Sequence, residues 1–168
     1  AHATPTLMLD DGAGNSITIV DGGVGDASPA GDGVVAFSGS IGGLTAWTVN
    51  ISTGITKPTI GSADEPRMDL NSVNVSNGAG TLTITFSETD FEVPPVAEWN
   101  TAIGGTTDGT VSLASYYDNG NTALAKTTPI SSLGPFNPVS FSDDVGSGLL
   151  AVSTPFSLTL EAIITHTD

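Results

Sequence analysis

The sequence predicts one all-β domain spanning residues 1–168: an antiparallel β-sandwich of about eight to ten strands with Greek-key-like connections. Three observations lead there. Apolar residues alternate with Thr, Ser and Asn over runs of five to about ten residues, the period of a half-buried strand. The runs are separated by clusters of Gly, Pro, Asn and Asp, drawn from 21 glycines and 10 prolines, which close turns at short intervals. Charged residues are only 12% of the chain and β-favouring Thr fills many polar positions, so helices lack their usual formers.

The elements follow in order. Thr6–Asp10 and Ser16–Val20 read as short strands around Asp11-Gly12, and residues 21–33 (DGGVGDASPAGDG) as a loop. Val34–Ile41 and Leu44–Ile51 read as a hairpin closed by Gly42-Gly43, with residues 53–66 as a crossover suited to a Greek key. The most legible stretch is Met68–Phe91, MDLNSVNVSNGAGTLTITFSETDF. Its arms alternate, with Leu82, Ile84 and Phe86 on one face, and Asn77-Gly78-Ala79-Gly80 suits a tight hairpin turn between them. Beyond Phe86 the phase would point Glu88, Asp90 and Glu92 inward, so either a bulge falls near residues 87–89 or the strand ends. Val96–Ile103 reads as a weak helical turn. Thr110–Tyr117 and Thr122–Thr127 read as a third hairpin whose second arm lies at a sheet edge, and Val139–Ser142 as a short strand. Phe156–His166 is the closing strand, alternating and with Glu161 its one charged residue, which suits an open edge.

A chain of 168 residues can bury about 70% of its unfolded surface, so it needs no staple to fold. With no cysteine it has neither disulfides nor thiol chemistry. Three basic against 18 acidic residues give a net charge of −15, which repels nucleic-acid phosphates and anionic lipid and leaves both outside the expected partners. Apolar runs such as Leu149–Val152 fall far short of the ~20 residues that a membrane helix needs, so no membrane insertion is expected. The start, Ala1-His2-Ala3 with no initiator Met, reads as a processed N-terminus of a secreted chain.

The stretches DDGAGNSITIVDGGVGD, WTVNISTGITKP, MDLNSVNVSNGAGTLTITFSETDF, IGGT and SLGPF together resemble the extracellular region of PEP-CTERM-type exported bacterial proteins. The likeness covers most of the chain and consists of turn-and-strand motifs. It implies a secreted protein of the cell surface or biofilm matrix, in contact with exopolysaccharide. Thr165-His166-Thr167-Asp168 is followed by no Pro-Glu-Pro sorting signal, apolar segment or basic tail, a departure that leaves the sorting route open.

Glu88-Thr89-Asp90-Phe91-Glu92 is the sharpest catalytic candidate. It resembles the active-site strand of lichenase- and laminarinase-like retaining glycosidases, which implies Glu88 as nucleophile, Asp90 as its tuning neighbour and Glu92 as acid/base. Residues four apart on a flat strand stand about 13 Å apart, whereas retaining carboxylates lie about 5–5.5 Å apart. Thr89, the Pro94-Pro95 pair and an aromatic content of 6% depart from that family, so a bulged strand end with solvated acids is the stronger reading.

Asp10, Asp11, Asn15, Asp21, Asp26 and Asp32 gather near the start and supply the oxygen ligands that calcium prefers. Their spacing matches neither an EF-hand nor a Gly-Gly-x-Gly-x-Asp repeat, and solvated turn aspartates are the competing reading. No Ser nucleophile motif, phosphate loop or dinucleotide fingerprint occurs. The expectation is a non-enzymatic structural protein that self-associates, with no cofactor besides calcium. Thr6, Leu7, Met8 and Leu9 are the stretch expected to complete its own sheet or be donated to a neighbour. A carbohydrate-binding sandwich for exopolysaccharide is the alternative, and the glycosidase the third reading.

Overall fold

Where apolar and hydroxylated residues alternate, the chain forms strands, eleven among the described residues, which contain no helix. The structure is a computed structural model that describes residues 4–43, 47–76, 78–137 and 139–167, without the side chains of residues 51 and 75. The strands are β1 (Thr6–Asp10), β2 (Ser16–Val20), β3 (Val34–Ile41), β4 (Trp47–Ile55), β5 (Asp69–Ser76) and β6 (Gly80–Phe91). They continue as β7 (Val96–Thr106), β8 (Thr110–Asp118), β9 (Thr128–Phe136), β10 (Ser140–Ala151) and β11 (Phe156–His166). Every ladder is antiparallel.

The first layer is a six-stranded sheet in the order β2-β1-β6-β11-β8-β9. The second layer is divided into a three-stranded sheet, β3-β4-β5, and a two-stranded one, β10-β7. Each part lies over its own apolar cluster. Under β3-β4-β5, Leu7, Leu9, Leu82, Ile84 and Phe86 meet Val35, Trp47 and Val49. Under β7-β10, Phe91, Tyr117, Phe156 and Leu158 gather with Val152, and Trp99 packs against them. The layers approach closely at Gly54, where an added Cβ would collide with the Phe86 ring. Phe86 therefore needs glycine opposite it.

The all-β sandwich is as expected, with one strand beyond the expected range. Several local assignments change. β5 and β6 are not a hairpin: β5 pairs with β4, while β6 crosses to the other layer and pairs with β1 and β11. Residues 56–68 join two neighbours of one sheet rather than crossing over. Val96–Ile103 lies in a strand, β7, because alternating Ala97, Trp99 and Thr101 turn toward the first layer. β8 pairs with residues 128–136 instead of Thr122–Thr127, though its partner does lie at the sheet edge. β11 is central, between β6 and β8, so its low charge reflects a strand paired on both sides rather than an open edge.

Candidate functional site

The acidic loops come first, since the sequence singles them out. Asp10 and Asp11 sit at the β1–β2 turn. Asp10 accepts from the Gly12 N–H at 2.7 Å, and Asp11 accepts from the Ala13 and Asn15 N–H groups at 2.9 and 3.0 Å. The Asn15 side chain donates to the same carboxylate, and these bonds hold the Asp11 carboxyl below the usual range. In the β2–β3 loop, Asp21 accepts from Gly31 and Gly33, Asp26 from Gly22, Ser28 and Ala36, and Asp32 from Val34 and the Ser28 hydroxyl. The six candidate ligands thus divide between two loops, and the five aspartates among them spend carboxylate oxygens on main-chain amides. Among the described residues, no group of three or more His, Asp or Glu is placed to hold a metal.

The E-x-D-x-E stretch does not present three carboxylates on one face. Leu158 pairs with Glu88 while Phe156 pairs with Phe91, so β6 carries one extra residue there. Asp90 absorbs the bulge at φ 59. The bulge turns Phe91 inward in the same sense as Glu88 and leaves Glu92 exposed. Three groups lock it. The Lys57 ammonium donates to the Thr89 and Asp90 carbonyls and lies 3.8 Å from the Phe91 ring centre. The Asn121 side chain accepts from the Asp90 N–H at 2.8 Å and donates to the Asp90 carboxylate at 2.7 Å. Glu88 is fully buried; one oxygen accepts from the Thr89 N–H at 2.7 Å and the other has no partner. Burial pushes its carboxyl up to about 7, against the pull of that N–H and of Lys57. Lys57 is pulled down, chiefly by burial. Glu88 thus lies in the interior while Glu92 lies at the surface.

The feature that sequence reasoning misses is the division in the second layer. β5 and β7 face one another across a groove, and neither has a ladder partner on that side. Arg67 and Met68 stand opposite Trp99–Thr101 at one mouth, and Leu70–Asn74 opposite Ile103–Asp108 at the other. The two walls therefore run in the same direction. Three hollows of about 340, 230 and 650 Å³ follow one another along the groove. Its floor is the first layer, chiefly Leu113, Leu160, Ala162 and Ile164. Leu160, Ala162 and Ile164 are only half-buried although their strand is central.

Each wall is fastened to that floor separately. Thr101, Ser115 and Ser131 close a ring of three hydroxyls at 2.7–2.8 Å, joining β7 to β8 and β9, and the Tyr117 hydroxyl donates to the Ala151 carbonyl at 3.1 Å. On the other wall, His166 lies 5.0 Å from the Trp47 ring, with its Nδ1 2.6 Å from the Ser76 hydroxyl. The only sequence hints are Asn71, Ser72 and Asn74 in β5 and Gly104-Gly105 in β7, polar or bare where a paired strand would carry β-branched residues.

Thr6, Leu7, Met8 and Leu9 complete the chain's own sheet between β2 and β6, with Leu7 and Leu9 fully buried. Trp47 is buried and Trp99 packs against Tyr117 and Phe156, and the exposed large hydrophobics include no aromatic. Comparison with protein-family models, curated proteins and solved structures found no match for this chain.

Proposed function

We propose that the chain is a non-enzymatic structural protein, exported to the cell surface or extracellular matrix, that works by associating with copies of itself. The groove carries this reading: two unpaired strand edges with an apolar floor offer backbone donors and acceptors to an added strand, the chemistry of β-strand addition. An edge left bare in a lone molecule is an aggregation liability that proteins usually cover or charge. Here it lies between two walls that are each tied to the first layer. The composition agrees, with a net charge of −15 that opposes indiscriminate clumping and no thiol to crosslink. The E-x-D-x-E carboxylates are divided between interior and surface, which favours a structural over a hydrolytic role.

Concentrated protein followed by light scattering and electron microscopy should show oligomers or filaments whose mass grows with concentration. A chain that stays monomeric at millimolar concentration would remove the proposal.

A further inference from the structure

We infer that residues 56–67, the segment between β4 and β5, act as a proton-controlled strap: they stay fastened to the bulge of β6 while Glu88 carries a proton and come away from it when Glu88 ionises. The strap works this way whether or not copies of the chain associate.

This segment is the movable part of the cover. Thr56 is its one fully buried residue; the others are half-buried or exposed, and none belongs to a strand. A few bonds hold it to its neighbours. The Lys57 ammonium donates to the Thr89 and Asp90 carbonyls, and the Glu92 N–H donates to the Ala63 carbonyl at 2.6 Å. The Thr56 N–H donates to the Gly33 carbonyl at 2.8 Å, and the Thr59 hydroxyl to the Asp32 carbonyl at 2.5 Å. Segments held by few bonds and little apolar burial open locally, at less cost than global unfolding.

Glu88 immediately precedes the two carbonyls that Lys57 holds. One of its oxygens accepts from the Thr89 N–H and the other has no partner. The charged groups that act on it are Lys57 from the strap, Asp90 from β6 and Asp21 from the β2–β3 loop. A neutral carboxyl is tolerated in such a place. A carboxylate, buried with one oxygen bare and two acids nearby, needs a donor or water. The mobile donor is the Lys57 ammonium, and drawing it over strands the Thr89 and Asp90 carbonyls. Admitting water lifts the segment instead. Either course parts the strap from the bulge. Burial pushes the carboxyl up to about 7, so the change falls near neutral pH. Ile60, Pro66 and Arg67 of the strap line the first hollow of the groove, so the same proton governs that mouth.

Opening that returns the carboxyl to its ordinary 4.5 releases one proton, so the opening equilibrium should rise about tenfold per pH unit toward 7 and level off above it. Hydrogen exchange by NMR on dilute protein, corrected for the intrinsic rate at each pH, reads this at the Ile60 and Glu92 N–H groups. The Ile84 N–H, in the middle of β6, reports global unfolding. Ile60 and Glu92 should exchange faster than Ile84 throughout and follow that slope, and Glu88→Gln should abolish it. Lys57→Met keeps the stem without the donors, and should raise exchange at both amides by at least about tenfold near pH 5. Wild type decides alone if neither variant folds. A flat opening at Ile60 and Glu92, exchange no faster than at Ile84, a slope that persists in Glu88→Gln, or unchanged protection in Lys57→Met would each overturn the strap and leave self-association standing.

Discussion

Glu88 is where the alternation of β6 ends, and it is a fully buried carboxyl with one oxygen unpartnered. The sequence shows the break, since three acids in phase with Leu82, Ile84 and Phe86 cannot all point inward. It does not show which option the chain takes, because the lock on Asp90 comes from Lys57 and Asn121, 33 and 31 residues away. The buried carboxyl has a measurable consequence. Its folded-state value of about 7 lies above the ordinary 4.5, so between those values the folded chain keeps a proton that the unfolded chain has released. Stability should fall as pH rises through that window and level off above it, by on the order of 3 kcal/mol for such a displacement. In Glu88→Gln this component disappears, so the variant should gain on wild type steadily from pH 4.5 to 7. Urea melts across that range check it, and parallel curves would mean that the carboxyl ionises normally.

At the scale of elements, strand identity was far more legible than strand partnership. The runs at β1, β2, β3, β6, β8 and β11 begin or end within a few residues of their alternating stretches because side-chain period is local chemistry. Partnership is not local. Of the turn expected between β5 and β6, Asn77 lies outside the described residues, and a Gly-rich stretch such as Gly78-Ala79-Gly80 suits a hairpin and other connections alike, so the choice depends on which faces are apolar across the whole fold. The inward face of β6 holds under either arrangement. Ile84 is fully buried, and Ile84→Ala should destabilise the protein by about 2–5 kcal/mol in denaturant melts. A loss under about half a kilocalorie would contradict that burial. The acidic loops lend themselves to a similar test. Asp26 accepts from three main-chain N–H groups, so Asp26→Ala should lower stability by about 1–3 kcal/mol by stranding them. If those bonds are its whole role, the loss will be the same with chelator and with excess calcium. A loss that grows when calcium is supplied would restore the metal reading.

For the whole molecule, composition and turn spacing make the sandwich visible, whereas the divided second layer is not. A gap between two sheet edges leaves no residue pattern of its own. It shows only as polar or bare positions in β5 and β7 and as a central strand that is less buried than its neighbours. The order of the first layer has a further consequence, one that concerns time. Its three adjoining strands β1, β6 and β11 come from residues 6–10, 80–91 and 156–166, so the middle of the sheet joins the early, central and late parts of the chain. Both inner edges, those of β6 and β8, stay unsatisfied until β11 is available to lie between them. All-β chains with such distant pairings fold on the order of milliseconds to seconds, because long loops must close before any ladder rewards them. During synthesis the first layer cannot close until residues 156–166 have emerged, whereas β3, β4 and β5 pair within residues 34–76 and can form much earlier.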